Sequence, residues 1–174
     1  MIFTAYADGW LQSPVRLMRC AFGTAGVVPG GAKREGDGAT PAGLWALRRL
    51  LWREDRAEPP RTRLPMRRLE PDDGWCDAPG DLAYNRPVRL PYGASAEALW
   101  RDDRLYDLLV VLGYNDDPVV AGAGSAIFLH LARPDFGPTQ GCVALGAADL
   151  LHVLELARPG DSLRVDAAAR RRQA

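Results

Sequence analysis

The chain has no excess of charge of either sign: 22 lysines and arginines stand against 22 aspartates and glutamates in 174 residues. That balance removes the electrostatic footprint by which nucleic acids and anionic membranes are held, so no nucleic-acid partner is expected. The one basic run, Arg170-Arg171-Arg172, is short and terminal and reads as a solvated, frayed end. Long apolar runs are missing too. No segment approaches the roughly 18 apolar residues of a membrane span, and Met1–Asp8 lacks the basic start and apolar stretch of a signal peptide. As written, the chain reads as cytoplasmic. Cysteine is scarce: Cys20, Cys76 and Cys142 are odd in number and far apart, which fits neither a disulfide framework nor a zinc site. Only two histidines occur, and no His-Glu-x-x-His or paired carboxylate–histidine spacing accompanies them, so neither a metal nor a cofactor is expected. Lys33-Arg-Glu-Gly-Asp-Gly38 lacks the Gly-Lys-Ser/Thr ending of a phosphate loop and reads as a charged glycine-rich turn.

What the chain does have is punctuation. Fourteen prolines and eighteen glycines cut it into short pieces, which favours many strands over a few long helices. Strands are expected at Ile2–Tyr6, Val15–Cys20, Leu44–Arg49, Leu108–Leu112, Ala126–Leu131, Val143–Leu145 and Ser162–Val165, where β-branched residues and leucines mix as on half-buried strands. Two helices are expected. Ser95–Arg101 opens with a capping serine and an acidic first turn, and Ala147–Ala157 repeats its leucines at helical spacing before Arg158-Pro159-Gly160. The stretch 53–90, rich in proline, arginine and aspartate, reads as an irregular lid or long loop. Without repeat or linker, residues 1–174 form one mainly β domain with two or three short helices.

The chemistry concentrates in one stretch. Ala126-Ile-Phe-Leu-His130 ends an apolar strand-like run on a histidine, and Pro138-Thr-Gln-Gly-Cys142 follows after a loop long enough to return on a neighbouring strand. A thiol attacks carbonyls as thiolate, and a neighbouring imidazole is the commonest way to ionise it. Gly141 lets the backbone turn sharply, so that the sulfur and the Cys142 N–H can both face a bound carbonyl. Either residue alone has a plainer reading, His130 as a hydrogen-bonded structural residue and Cys142 as an inert buried thiol. Together they form a candidate cysteine acyl-transfer centre. Tyr114 and Asn115, after an apolar strand, are candidate groove-lining residues.

These residues give the chain a family likeness. His130 with Thr139-Gln140-Gly141-Cys142, Thr40-Pro41-Ala42-Gly43 before an alternating strand, Lys33–Gly38, and Gly113-Tyr114-Asn115 together resemble the L,D-transpeptidase (YkuD-type) catalytic domain in its compact, stand-alone form, from about residue 15 to 165. The resemblance implies a β-sandwich and no cofactor. It further implies peptidoglycan stem peptides as partners, outside the cytoplasmic membrane in the periplasm or cell wall. Cys142 is the implied nucleophile, His130 its base and then acid, the backbone N–H groups of Cys142 and Gly141 the implied oxyanion donors, and a thioester acyl-enzyme the implied intermediate. It releases D-alanine from a tetrapeptide stem and passes the acyl group to an amine, giving a 3-3 cross-link. Thr139 and Gln140 are implied to line the substrate site. Two positions depart from the family pattern: Gln140 stands where histidine is usual, and Ala144 where an arginine is often found. Lys33, Arg34 and Arg133 are the candidates to replace that positive charge. Water as acceptor makes a carboxypeptidase or hydrolase of the same site, and a non-catalytic peptidoglycan-binding domain is the reading from another class.

Overall fold

A computed structural model describes residues 1–170; of the basic run, only Arg170 lies inside the described residues. Among the described residues, thirteen strands and one α-helix follow in chain order. The strands are β1 (Ile2–Tyr6), β2 (Trp10–Gln12), β3 (Leu17–Ala21), β4 (Val27–Pro29), β5 (Thr40–Trp52), β6 (Met66–Arg68), β7 (Asp73–Cys76), β8 (Pro87–Arg89), β9 (Ala96–Ala98), β10 (Leu108–Leu112), β11 (Phe128–Leu131), β12 (Val143–Leu145) and β13 (Ser162–Asp166). The helix α1 (Ala147–Leu156) and a 3-10 turn at Gly30–Ala32 complete the set.

β5 organises the rest. Its first half pairs with β13 and its second half with β10, so the pairings run from β5 through β10, β11, β12, β3, β2, β1 and β13 back to β5. The result is a barrel-like sandwich, mainly β as expected. The register slips between Val111 and Leu112, whose partners are Arg49 and Leu47, leaving Arg48 as a bulge at the bend of β5.

β10 shows why an unbroken apolar run belongs here. Leu108, Val110 and Leu112 point into the barrel core with Phe3, Leu11, Met18, Leu129 and Leu163, while Leu109 and Val111 point outward into a second cluster. Both faces of the strand are covered, so alternation disappears. The cover on the outer face is a small antiparallel sheet in the order β8-β7-β9. Its Trp75 stands edge-on to Phe128 with ring centroids 5.2 Å apart. Full burial of a side chain such as Phe128 stabilises by roughly 1.5–3 kcal/mol.

Two expectations need correction. Ser95–Arg101 is not helical: Ala96–Ala98 is an edge strand whose Glu97 pairs with Trp75. Seven residues are too few to hold a helix without tertiary help, and the open edge of β7 satisfies their backbone instead. The stretch 53–90 is not structureless either, since it supplies β6, β7 and β8 and hence most of the second sheet. The α-helix at Ala147–Leu156 lies where the leucine spacing put it. No helix among the described residues is long and apolar enough to cross a membrane.

Candidate active site

The site forms where the second sheet meets the barrel wall. Along β11, Leu129 and Leu131 face the barrel core, so Phe128 and His130 face the outer layer. β12 lies parallel to β11 with His130 opposite Ala144. Cys142, one step before β12, falls on the same face as Ala144, diagonal to His130. Cys142, His130 and Ala144 line one cavity of about 380 Å³, together with Lys33, Glu35, Asp77, Glu97, Arg101, Tyr106, Ser125, Arg133, Thr139 and Gln140.

The cysteine turn is clamped from three sides. The carbonyl of Cys142 accepts hydrogen bonds from the hydroxyls of Thr139 (2.7 Å) and Thr40 (3.4 Å). Thr40 in turn accepts from the Gly23 N–H at 2.8 Å. Thr40 of the Thr-Pro-x-Gly motif therefore buttresses the Cys142 peptide. Gly141 adopts φ +132°, and a Cβ there would sit 2.9 Å from the Ala39 carbonyl oxygen, so only glycine fits. Its N–H donates to Thr139 Oγ1 at 3.1 Å. The Gly141 N–H is thereby engaged, whereas the Cys142 N–H donates to no acceptor among the described residues.

Cys142 and His130 are both buried. Cys142 Sγ donates to the Ala126 carbonyl at 3.2 Å and accepts from the Phe128 N–H at 3.3 Å. Burial pushes its thiol up to about 12, and the nearby Glu97 carboxylate acts in the same direction. His130 is 4 % exposed. Its Nδ1 lies 2.8 Å from the Leu131 carbonyl, an acceptor only, so Nδ1 carries the proton and Nε2 the free lone pair. Burial holds the imidazole down at about 4. The Tyr106 ring packs edge-on against it, centroids 5.1 Å apart. No hydrogen bond joins thiol and imidazole in this resting arrangement among the described residues.

The other expected residues divide. Thr139 and Gln140 line the cavity, Thr139 as the clamp and Gln140 exposed. Lys33 lines it as well, but it is 2 % exposed and its Nζ is bound to Asp37 (2.6 Å) and the Arg34 carbonyl. Arg133 lines it with Nη1 on the Pro138 carbonyl and no carboxylate within ion-pair distance among the described residues. Tyr114 and Asn115 do not line it. Tyr114 is buried with its hydroxyl on the Ala123 carbonyl, and the Asn115 side chain ties down Val120 and Gly124. They shape the turn behind the cavity, because the tight turn at Asn115 (φ +47°) spends its side chain on local backbone.

Glu97, Arg101 and Tyr106 were not legible as site residues in the sequence; Glu97 is placed by β9 pairing with β7. Arg101 lies over the Tyr106 ring at 5.1 Å and is paired with Asp103. Nor was Asn85, 3 % exposed and fully satisfied. Asn85 Oδ1 accepts from Trp75 Nε1 (2.9 Å) and the Ala126 N–H (3.1 Å), and Nδ2 donates to the carbonyls of Tyr114 (3.0 Å) and Asn115 (2.7 Å). Thus Asn85 fixes Ala126, the residue whose carbonyl holds the Cys142 proton. Among the described residues, no group of three or more His, Cys, Asp or Glu side chains is arranged to hold a metal ion.

Residues 2–165 match the family YkuD, described as the L,D-transpeptidase catalytic domain. The chain belongs to that family. No curated protein matches it. Among solved structures, an L,D-transpeptidase from Mycobacterium smegmatis is similar at 14% identity and a TM-score of 0.43, over 95% of this chain and 58% of that one. The present chain therefore spans less than two thirds of that protein's length. In this YkuD domain Ala144, standing where the resemblance implies an arginine, lines the cavity.

Proposed function

We propose that this chain is a cysteine L,D-transpeptidase of peptidoglycan tetrapeptide stems, working through a thioester on Cys142. The observation that carries the reading is the sharing of one cavity by Cys142 and His130, from neighbouring parallel strands, with the imidazole lone pair on Nε2. Family membership supports the substrate class. The resting pair is neutral, so proton and electron pair move together: Nε2 takes the thiol proton as Sγ bonds to the carbonyl carbon at the L-stereocentre of meso-diaminopimelate. The Cys142 N–H is the donor open to the developing oxyanion; one such donor is typically worth about 10²–10³ in rate. The imidazolium returns its proton to the departing D-alanine nitrogen as the C–N bond breaks. An amine then attacks the thioester to form the cross-link and release the thiol.

A diaminopimelate-containing disaccharide tetrapeptide, incubated with and without an excess of acceptor stem, tests the reaction class. Free D-alanine with a cross-linked dimer supports transpeptidation. Free D-alanine with only a shortened stem makes the domain a carboxypeptidase, and no D-alanine in either arm contradicts both.

A further inference from the structure

The cavity that holds Cys142 and His130 is also lined by Glu35, Asp77 and Glu97, none of which the acylation step uses. Glu97 lies on β9 and Asp77 directly follows the neighbouring β7, where Cys76 pairs with Ala96 and Trp75 with Glu97. Two of the nearest cations are already committed, Lys33 to Asp37 and Arg101 to Asp103. Glu97 is bound on one side only. Its Oε1 accepts from the Tyr106 hydroxyl at 2.6 Å and lies 3.8 Å from Arg101 Nη1, while no hydrogen bond reaches Oε2 among the described residues. The Tyr106 ring is the same ring that packs against His130, so this carboxylate lies one side chain from the imidazole. A second observation points to a ligand there. Ser125, 7 % exposed, lines the same cavity with its buried hydroxyl unpartnered among the described residues, as is the buried Oδ1 of Asp77. A free carboxylate oxygen beside orphaned polar atoms suits a group that brings N–H donors and positive charge.

We propose that Glu97 receives the amine that resolves the acyl-enzyme, binding a primary ammonium on its free Oε2 and removing one proton from it. The inference rests on the thioester reading above. An ammonium has no lone pair to attack with, so one proton must leave before the C–N bond can form. Glu97 takes that first proton and becomes a carboxylic acid. The neutral amine adds to the thioester carbonyl, and the C–S bond breaks as the tetrahedral centre collapses. The second nitrogen proton passes through His130 Nε2 to the departing sulfur, leaving an amide and the Cys142 thiol. Glu97 then loses its proton to solvent. Burial, together with the like charges of Asp77 and Glu35, holds its carboxyl above the ordinary carboxylate range, which suits a proton acceptor.

The test is a competition on one acyl-enzyme between a stem carrying a free primary amine and hydroxylamine, which is uncharged at neutral pH and has no such proton to lose. The readout is the ratio of amide to hydroxamate, which is independent of how fast the acyl-enzyme forms. Glu97→Gln, which keeps the shape and an acceptor for Tyr106, lowers that ratio about 10²-fold, the lower end of what a positioned proton acceptor supplies. Glu97→Asp, which keeps the charge but draws it back by one methylene, falls between. A ratio equal to wild type in both variants overturns the proposal, as does equal loss of both products in both variants, which gives Glu97 a merely structural part. Failure of the wild type to form either product overturns the thioester reading itself.

Discussion

Acidification should unfold this protein partly through a histidine that resists protonation. His130 is 4 % exposed, packed against Tyr106, and binds the Leu131 carbonyl through Nδ1. Burial lowers its pKa from 6.5 to about 4. Between those values the unfolded chain binds a proton that the folded chain refuses, so protonation favours unfolding. The contribution is complete above pH 6.5 and is drawn down as the pH falls toward 4. At 1.36 kcal/mol per pH unit, the gap amounts to about 3 kcal/mol, a large part of the roughly 5–15 kcal/mol by which domains are stable. The control is His130→Asn, whose amide reproduces the Nδ1–H donor without titrating. Urea denaturation of both proteins at pH 7 and pH 4 gives the comparison. Asp37, Asp73 and Asp103, all held below the ordinary carboxylate range by their partners, also lose stability in acid. They do so in both backgrounds and cancel. Wild type should lose about 3 kcal/mol more than His130→Asn over this range. Equal losses would refute a buried neutral imidazole.

Further expectations concern the cysteine turn and its support. Gly141→Ala forces a Cβ against the Ala39 carbonyl in a backbone conformation side chains rarely adopt. It should cost about 1–3 kcal/mol and cut D-alanine release more than tenfold, checked by urea titration beside a D-alanine assay; wild-type values for both contradict the clamp. With its thiol pushed up to about 12, Cys142 should react with iodoacetamide at pH 8 more slowly than free cysteine. Faster labelling, mapped by peptide mass, means a resting thiolate and an open site. Asn85→Ala strands buried partners on Trp75, Ala126, Tyr114 and Asn115. A loss of about 3 kcal/mol is expected in chemical denaturation, and a loss under 1 kcal/mol rejects the role given to this side chain.

Legibility in the sequence followed how local each cause was. The apolar run of β10 and the leucine spacing of α1 act within one element and were readable directly. His130 and Cys142 were readable because both residue types are scarce and a glycine precedes the cysteine. Glu97 and Arg101 were hidden, because a capping serine and an acidic turn are compatible with a short helix. Only the edge of β7, twenty residues away in the chain, turns that segment into a strand. Lys33 carried a cation in the sequence, yet its neighbour Asp37 consumes it. Tyr114 and Asn115 follow a strand as a groove residue would, but the same turn chemistry spends them on backbone. The role of Thr40 was visible as a motif and became intelligible as chemistry only through its contact with the Cys142 carbonyl.

The central claim, a thioester on Cys142, is tested most directly by intact-protein mass spectrometry. Wild type and Cys142→Ala are each mixed with a diaminopimelate-containing disaccharide tetrapeptide and quenched in acid. The account predicts an adduct equal to the stem minus D-alanine on wild type and none on Cys142→Ala. The same adduct on both proteins, or unchanged mass and no free D-alanine from a folded wild type, contradicts it.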